Sequence, residues 1–289
     1  MLHTATVFSS LSASARAERV SSLDLGEGRA TAIWRNSHDR MRYERADGHT
    51  LSCYLRGGDD TRLIDLGGVT GWPGALCIMP QGASSEWEIG NKFEFVHLYL
   101  ADEELRRLFS ETFDRDARLM LLPEATFDHA PGLAHSLVQL AAATRAGNRM
   151  LAEQAIVLAI EQLFTDPRHG GERRLVLRGG LAPALRRRLV DYIEANLAQP
   201  IRLRDLAAIA DLSEFHLQRM FQQTCGVSPY DFILNRRIDR ARRMLAGNEP
   251  IAQIAAACGF SSQSHLTRLF KVATGTTPFD YRRTASAAS

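Results

Sequence analysis

The chain has 289 residues, 45% of them hydrophobic and 24% charged, with a formal net charge of +2 at pH 7. Domains usually hold about 100 to 200 residues, so a chain of this size and apolar content can bury two cores. It contains no apolar run of about 18 residues or more, and Met1 to Val20 is rich in Ser and Ala without a basic flank. A membrane span and an export signal are excluded on that basis, and a soluble, cytoplasmic protein without a membrane partner is expected. The four cysteines, Cys53, Cys77, Cys225 and Cys258, form no C-x-x-C pair and read as reduced, buried thiols rather than a disulfide framework. From Leu181 onward Lys and Arg number 15 against 9 Asp and Glu, whereas the preceding residues hold 20 against 24. A basic C-terminal part beside an acidic remainder suggests a polyanionic partner.

Residues 29–100 are punctuated by Gly57-Gly58-Asp59, Gly67-Gly68, Gly71-Trp72-Pro73-Gly74 and Pro80-Gln81-Gly82, turn signals that predict short strands. Phe93 to Leu100 has the β-branched and aromatic content of a strand apolar on both faces, and Thr61 to Leu66 alternates imperfectly. A small β-sandwich or barrel follows. After Ala101, Asp102 is placed to cap a helix with Glu103 and Glu104 in its first turn. Two longer helices follow over 131–145 and 149–164, suited to a hairpin; the second has Leu151, Ala155, Leu158 and Gln162 on one stripe, with Ile156 and Ile160 beside it. Thr165 to Arg174 has the Pro, Gly and charge content of a linker. The expected division is residues 1–165, a linker over 166–180, and residues 181–289.

The C-terminal part holds an internal repeat. Leu217-Gln218-Arg219-Met220-Phe221 matches Leu266-Thr267-Arg268-Leu269-Phe270, and Ser228-Pro229-Tyr230-Asp231 matches Thr277-Pro278-Phe279-Asp280, at an offset of 49 residues. Upstream, Leu206-Ala207 aligns with Ile254-Ala255 and Ala210 to Ser213 with Cys258 to Ser261 at an offset of 48, so the second copy carries one extra residue where its second helix begins. Each copy reads as helix, tight turn, helix, with Ser213 and Ser262 as N-caps. Each then stops at a glycine, Gly226 or Gly275, and restarts with a Ser or Thr cap followed by Pro.

At about 100° per residue, Leu217, Met220, Phe221 and Thr224 fall on one side of the first copy's second helix, and Phe215, Gln218, Arg219 and Gln222 on the other. In the second copy Leu266, Leu269 and Phe270 face inward, while Ser264, Thr267, Arg268 and Lys271 face outward with Gln263 and His265 flanking. Such an outward face suits a DNA major groove: Arg can pair bidentately with guanine, Gln with adenine, Ser, Thr and Phe can meet base edges or the thymine methyl, and Lys can hold phosphate. A solvated polar face is the commoner fate of one such helix, but two matching faces in duplicated turns favour a double-stranded DNA operator as partner. The helix between the copies, over 229–246, has Leu234, Ile238, Ala241 and Leu245 on its buried stripe. At about 1.5 Å per residue it is a connector of roughly 27 Å, able to set two readers in successive grooves about 34 Å apart. Its Arg236, Arg237, Arg240 and Arg243 suit phosphate contact or solvation equally.

These segments, Leu203 to Gln223, Thr224 to Pro229 and Ile254 to His265, closely resemble AraC/XylS-type transcription regulators, over roughly residues 183–284. The Gly-Phe-Ser turn, the paired Arg-x-Phe segments and the closing Pro-Phe-x-Tyr-Arg stand at the family's spacing. The resemblance implies that each second helix enters a major groove, at Phe215, Gln218, Arg219, Gln263, Ser264, Thr267 and Arg268. It further implies a cupin-like N-terminal domain, a β-barrel or sandwich with a helical hairpin, that binds a small-molecule effector and forms a homodimer through its helices, and contact with RNA polymerase. An α+β chain with an all-α C-terminal domain is the fold class expected.

No catalytic constellation is recognisable. Asp47-Gly48-His49 and His97 lack the H-x-H arrangement of metal-dependent cupins, Gly26-Glu27-Gly28 lacks the third glycine of a dinucleotide fingerprint, and no phosphate loop or G-x-S-x-G elbow occurs. No metal, cofactor or enzymatic activity is therefore expected. Trp34, Tyr54, Trp87, His97 and Tyr99, with Tyr43 and Trp72, are candidates to line an effector cavity, although core packing explains most of them equally well. The leading reading is a ligand-responsive activator of transcription. A constitutive regulator and a metal cupin fused to a DNA-binding tail are the alternatives.

Overall fold

The computed structural model describes residues 6–169 and 180–286, with side chains through Arg283. The chain divides into two compact units, Met1–Val176 and Leu177–Ser289.

The first unit opens with α1 (Thr6–Ala13), then β1 (Glu18–Gly26), β2 (Arg29–Asn36), β3 (Asp39–Tyr43), β4 (His49–Arg56), β5 (Thr61–Leu63), β6 (Leu76–Met79), β7 (Ser85–Ile89) and β8 (Phe93–Leu100). It continues through α2 (Asp102–Phe113), β9 (Ala125–Asp128), α3 (Pro131–Ala146) and α4 (Arg149–Thr165). A six-stranded sheet in the order β1-β2-β8-β4-β6-β9 packs against a three-stranded sheet, β3-β7-β5. Among the described residues the large sheet keeps open edges at β1 and β9, so this is a sandwich and not a closed barrel. The elements absent from the sequence expectation are α1, β1 and β9.

The all-apolar character of β8 has a layered cause. In the antiparallel ladder Ile33, Val96 and Cys53 stand in one row across β2, β8 and β4, and side chains alternate between the two faces. That row joins the core shared with Leu105, Leu137, Leu140, Ile156 and Ile160 of the helices. The neighbouring row of Trp34, Phe95 and Tyr54 faces Met41, Tyr43, Trp87 and Ile89 of the small sheet instead. The central strands are therefore covered on both sides.

Three local expectations are corrected. The N-cap of α2 is Ala101, and Asp102 lies inside the first turn, where its carboxylate accepts from Arg106 Nε at 2.8 Å and His49 Nε2 at 3.0 Å. The Gln81 amide donates to His49 Nδ1, which leaves the ring proton on Nε2 for that bond. In α4 the stripe of Leu151, Ala155, Leu158 and Gln162 is covered only at Ala155: Ala152, Ile156, Ala159, Ile160 and Leu163 are the buried side because α2, α3 and the sheet enclose the helix there. Asp166 to His169, assigned to the linker, is a turn fastened to β9, with Arg168 Nη1 and His169 Nε2 on the Asp128 carboxylate at 2.6 and 3.1 Å. Residues 170–179, the remainder of the expected linker apart from Gly180, lie outside the described residues.

The second unit is all helical: α5 (Pro183–Ala195), α6 (Leu203–Ala210), α7 (Glu214–Cys225), α8 (Pro229–Leu245), α9 (Ile251–Ala257), α10 (Gln263–Thr274) and α11 (Pro278–Ser286). Leu217 and Phe221 of α7 and Leu266 and Phe270 of α10 are fully buried, one pair in each half. The second half closes around Ile238, Ala241 and Leu245 of α8 with Ile254, Cys258 and Phe260.

Candidate nucleic-acid interface and aromatic cavity

Both α7 and α10 are started and stopped by the same devices. The Ser213 hydroxyl accepts from the His216 amide at 3.2 Å and the Ser262 hydroxyl from the His265 amide at 3.1 Å. Each satisfies an amide that the helix itself leaves open. Both helices end on a left-handed glycine, Gly226 at φ +75° and Gly275 at φ +80°. The restart repeats as well: Ser228 caps α8 through the Asp231 amide, and Thr277 opens α11 through the Asp280 amide.

The turns between paired helices differ. Asp211 takes the left-handed conformation after α6, and Gly259 takes it after α9. A Cβ added to Gly259 would lie 2.2 Å from the Leu197 carbonyl oxygen and 2.9 Å from Arg237 Nη2. Glycine is therefore demanded by packing as well as by φ. Arg237 occupies that junction, donating from Nε to the Leu197 carbonyl at 3.0 Å and from Nη2 to the Gln199 carbonyl at 2.8 Å. Its neighbour Arg236 pairs with Glu194 of α5. These two arginines brace the domain internally, whereas Arg240 and Arg243 line a groove with Leu197 and Met244.

The two readers present unequal faces. On α10, Gln263, Ser264, Arg268 and Lys271 are exposed and Thr267 is half-buried. On α7, Gln222 is exposed and Arg219 is half-buried, but Phe215 and Gln218 are only 5% exposed. The outward placement expected for Phe215 and Gln218 is thus corrected. Helical side chains lean toward the N-terminus, so a ring in the first turn lies back over the preceding segment, and Phe215 also meets His216 in a tilted arrangement at 5.6 Å. Gln218 keeps its Oε1 atom buried without a hydrogen-bond partner among the described residues.

In the first unit, a cavity of about 30 Å³ lies between the two sheets. Tyr54, Trp87 and His97 line it, together with Ser52, Thr61 and Phe95. Trp34 and Tyr99, two of the expected cavity residues, stand behind this wall: Trp34 Nε1 donates to the Tyr99 hydroxyl at 2.9 Å, and that hydroxyl meets His97 Nδ1 at 3.0 Å. The Tyr99 hydroxyl thus accepts from Trp34 and shares a second hydrogen bond with the ring of His97. Burial lowers His97 to about 3 and raises Cys77 on the same wall to about 12. The sequence reading missed Ser52, Thr61 and Phe95. Their signal was the two-residue spacing of Ser52 with Tyr54 and of Phe95 with His97, hidden because the strands are apolar on their other face too.

Among the described residues no helix is long and apolar enough to cross a membrane, and no cluster of His, Cys, Asp or Glu could hold a metal ion. Cys53, Cys77 and Cys258 are buried free thiols and Cys225 is half-buried.

Two capped helix-turn-helix units around a shared central helix define a DNA-reading domain. Residues 206–284 match the family described as helix-turn-helix domain. The chain is 35% identical over 77 residues to the probable transcriptional regulator LumQ of Photobacterium leiognathi, covering 26% of this chain and 31% of that protein. It is 38% identical over 76 residues to the multiple antibiotic resistance protein MarA of Escherichia coli, covering 26% of this chain and 60% of that one. A solved AraC-type DNA-binding domain-containing regulator from Chromobacterium violaceum is 32% identical, with 35% of this chain and 92% of that chain covered, at a TM-score of 0.34. In residues 206–284 the chain thus carries a helix-turn-helix domain similar to those of these transcription regulators. It spans less than two thirds of the length of these two curated relatives.

Proposed function

We propose that this protein binds operator DNA sequence-specifically and regulates transcription by setting α7 and α10 in consecutive major grooves. The observation that carries this reading is the pair of identically capped helices whose polar faces bear Arg, Gln, Thr and Lys. Arg219, Gln222, Gln263, Ser264, Thr267 and Arg268 are the base-edge candidates and Lys271 a phosphate contact, with Phe215 and Gln218 joining once uncovered. The first unit is the cupin-like effector and dimerisation domain in this reading, reaching past residue 165 to the turn that Arg168 and His169 fasten to β9, and α3 and α4 join the homodimer. The regulator acts in the cytoplasm as an effector-responsive activator in contact with RNA polymerase, without enzymatic activity.

Selection of binding sites from random duplex DNA tests the reading. It should return two conserved boxes about one helical turn, or about 10 base pairs, apart. Enrichment of no sequence would end it.

A further inference from the structure

Four features of the aromatic cavity combine. Among the described residues no Asp, Glu, Lys or Arg lines it. Burial keeps its titratable groups neutral, since it lowers His97 to about 3 and raises Cys77 to about 12 and the Tyr43 and Tyr54 phenols above their usual value. Thr61, 1% exposed, lines the cavity, and its buried Oγ1 has no hydrogen-bond partner among the described residues. A buried hydroxyl left unpaired costs free energy that a ligand atom can recover.

The fourth feature is a yielding wall. The Tyr54 ring is wedged between two glycines: a Cβ on Gly58 would lie 2.3 Å from it and one on Gly71 2.4 Å. Segment 67–74 lies outside the strands and is tied back by the Gly71 amide to the Thr61 carbonyl at 3.1 Å, the Gly74 amide to the Tyr54 carbonyl at 2.8 Å, a bridge between Arg62 and Thr70, and the Trp72 ring beside Phe127. It carries Val69 and Trp72 at 44% and 37% exposure. At about 30 Å³ the cavity accepts only a group of a few atoms. A ring-sized body requires Tyr54 and this segment to shift, and the glycines there permit it.

We propose that the cavity is a ligand site selective for small uncharged molecules with an apolar body and one hydroxyl or carbonyl oxygen, which the Thr61 hydroxyl engages. An ionised ligand would surrender its hydration with no opposite charge to meet it. The proposal rests on the reading of the first unit as the effector domain and gives that domain's ligand a chemical class.

Calorimetric titration of the full chain at neutral pH, without DNA, with benzyl alcohol, toluene and benzoate separates the outcomes. Benzyl alcohol should bind about tenfold more tightly than toluene, and benzoate should not bind detectably. Thr61→Val, close to isosteric, should erase the advantage of the alcohol while leaving toluene unchanged, and Thr61→Ser should restore it. Benzoate binding as well as benzyl alcohol, an alcohol preference that survives in Thr61→Val, or no binding of any probe would each overturn the proposal. A ligand that binds as described without altering DNA affinity would leave the site intact and remove its regulatory role.

Discussion

Arg237 and Leu197 are joined by a hydrogen bond from the guanidinium Nε to the carbonyl oxygen, 3.0 Å long, across 40 residues of sequence. The same carbonyl sits where a side chain on Gly259 would otherwise go. One oxygen thus ties the end of the first half's opening helix to the central helix and to the turn of the second reader, and this junction fixes how one reader lies relative to the other. Arg237→Met should cost about 1.5 to 3 kcal/mol of stability, the value of a charge-assisted hydrogen bond. In a binding-site selection both boxes should keep their sequences while the spacing between them broadens. An unchanged spacing in a folded variant would show that the junction has no part in alignment.

Two glycines in the left-handed conformation should respond differently to alanine. At Gly226 an added Cβ meets nothing within 4 Å, so Gly226→Ala bears the backbone penalty alone, about 1 kcal/mol. At Gly259 it collides with Leu197 and Arg237, and Gly259→Ala should lose at least about 2 kcal/mol. Urea denaturation of the two variants side by side measures the difference, and equal losses would contradict the crowded junction.

Arg268→Ala and Arg219→Ala should each weaken operator binding by about 1 to 3 kcal/mol and relax preference at one base pair, in the second and first box respectively. Lys271→Ala should weaken all sequences alike and lower the salt dependence of binding by about one phosphate contact. Fluorescence anisotropy over a series of salt concentrations and single-base operator variants distinguishes the two behaviours.

The pH dependence of the first unit follows from His97, which burial holds neutral down to about 3. The unfolded chain takes up a proton on this ring below about pH 6.5, whereas the folded chain does not until far lower. Stability from this group is therefore complete above about 6.5 and declines by about 1.4 kcal/mol per pH unit as pH falls toward 3. Melting of wild type and His97→Asn between pH 7 and pH 4 checks the sign, with the variant showing the flatter slope.

The second unit was legible because its information is local. Ser213 and Ser262, Gly226 and Gly275, and Pro229 and Pro278 each act within one turn of their own position, and duplication displays them twice. The coverage of Phe215 and Gln218 was not legible, since helical phase gives a direction and says nothing about what lies in that direction. In the first unit the turns and the α3–α4 hairpin could be read from Gly147 and Asn148, the left-handed stop and the cap. The strands β1 and β9 escaped because their residues are only partly buried and show weak alternation. Tyr54, Trp87 and His97 were legible as cavity residues, but Ser52 and Phe95 escaped because the wall is assembled from rows running across strands, and Tyr54 and Phe95 are neighbours only through register. Arg237 was indistinguishable in sequence from Arg240 and Arg243; the carbonyls it serves come from a distant segment.

The contrast between an open α10 and a covered α7 has a consequence in time. A reader whose polar side chains already face solvent can meet DNA at the rate of diffusion, whereas one that must first free Phe215 and Gln218 waits for that rearrangement. Association with an operator should then proceed in two phases, a concentration-dependent capture by the second box followed by a concentration-independent locking of the first. In that second phase the Gln218 oxygen, without a partner among the described residues, would acquire one on the edge of a base.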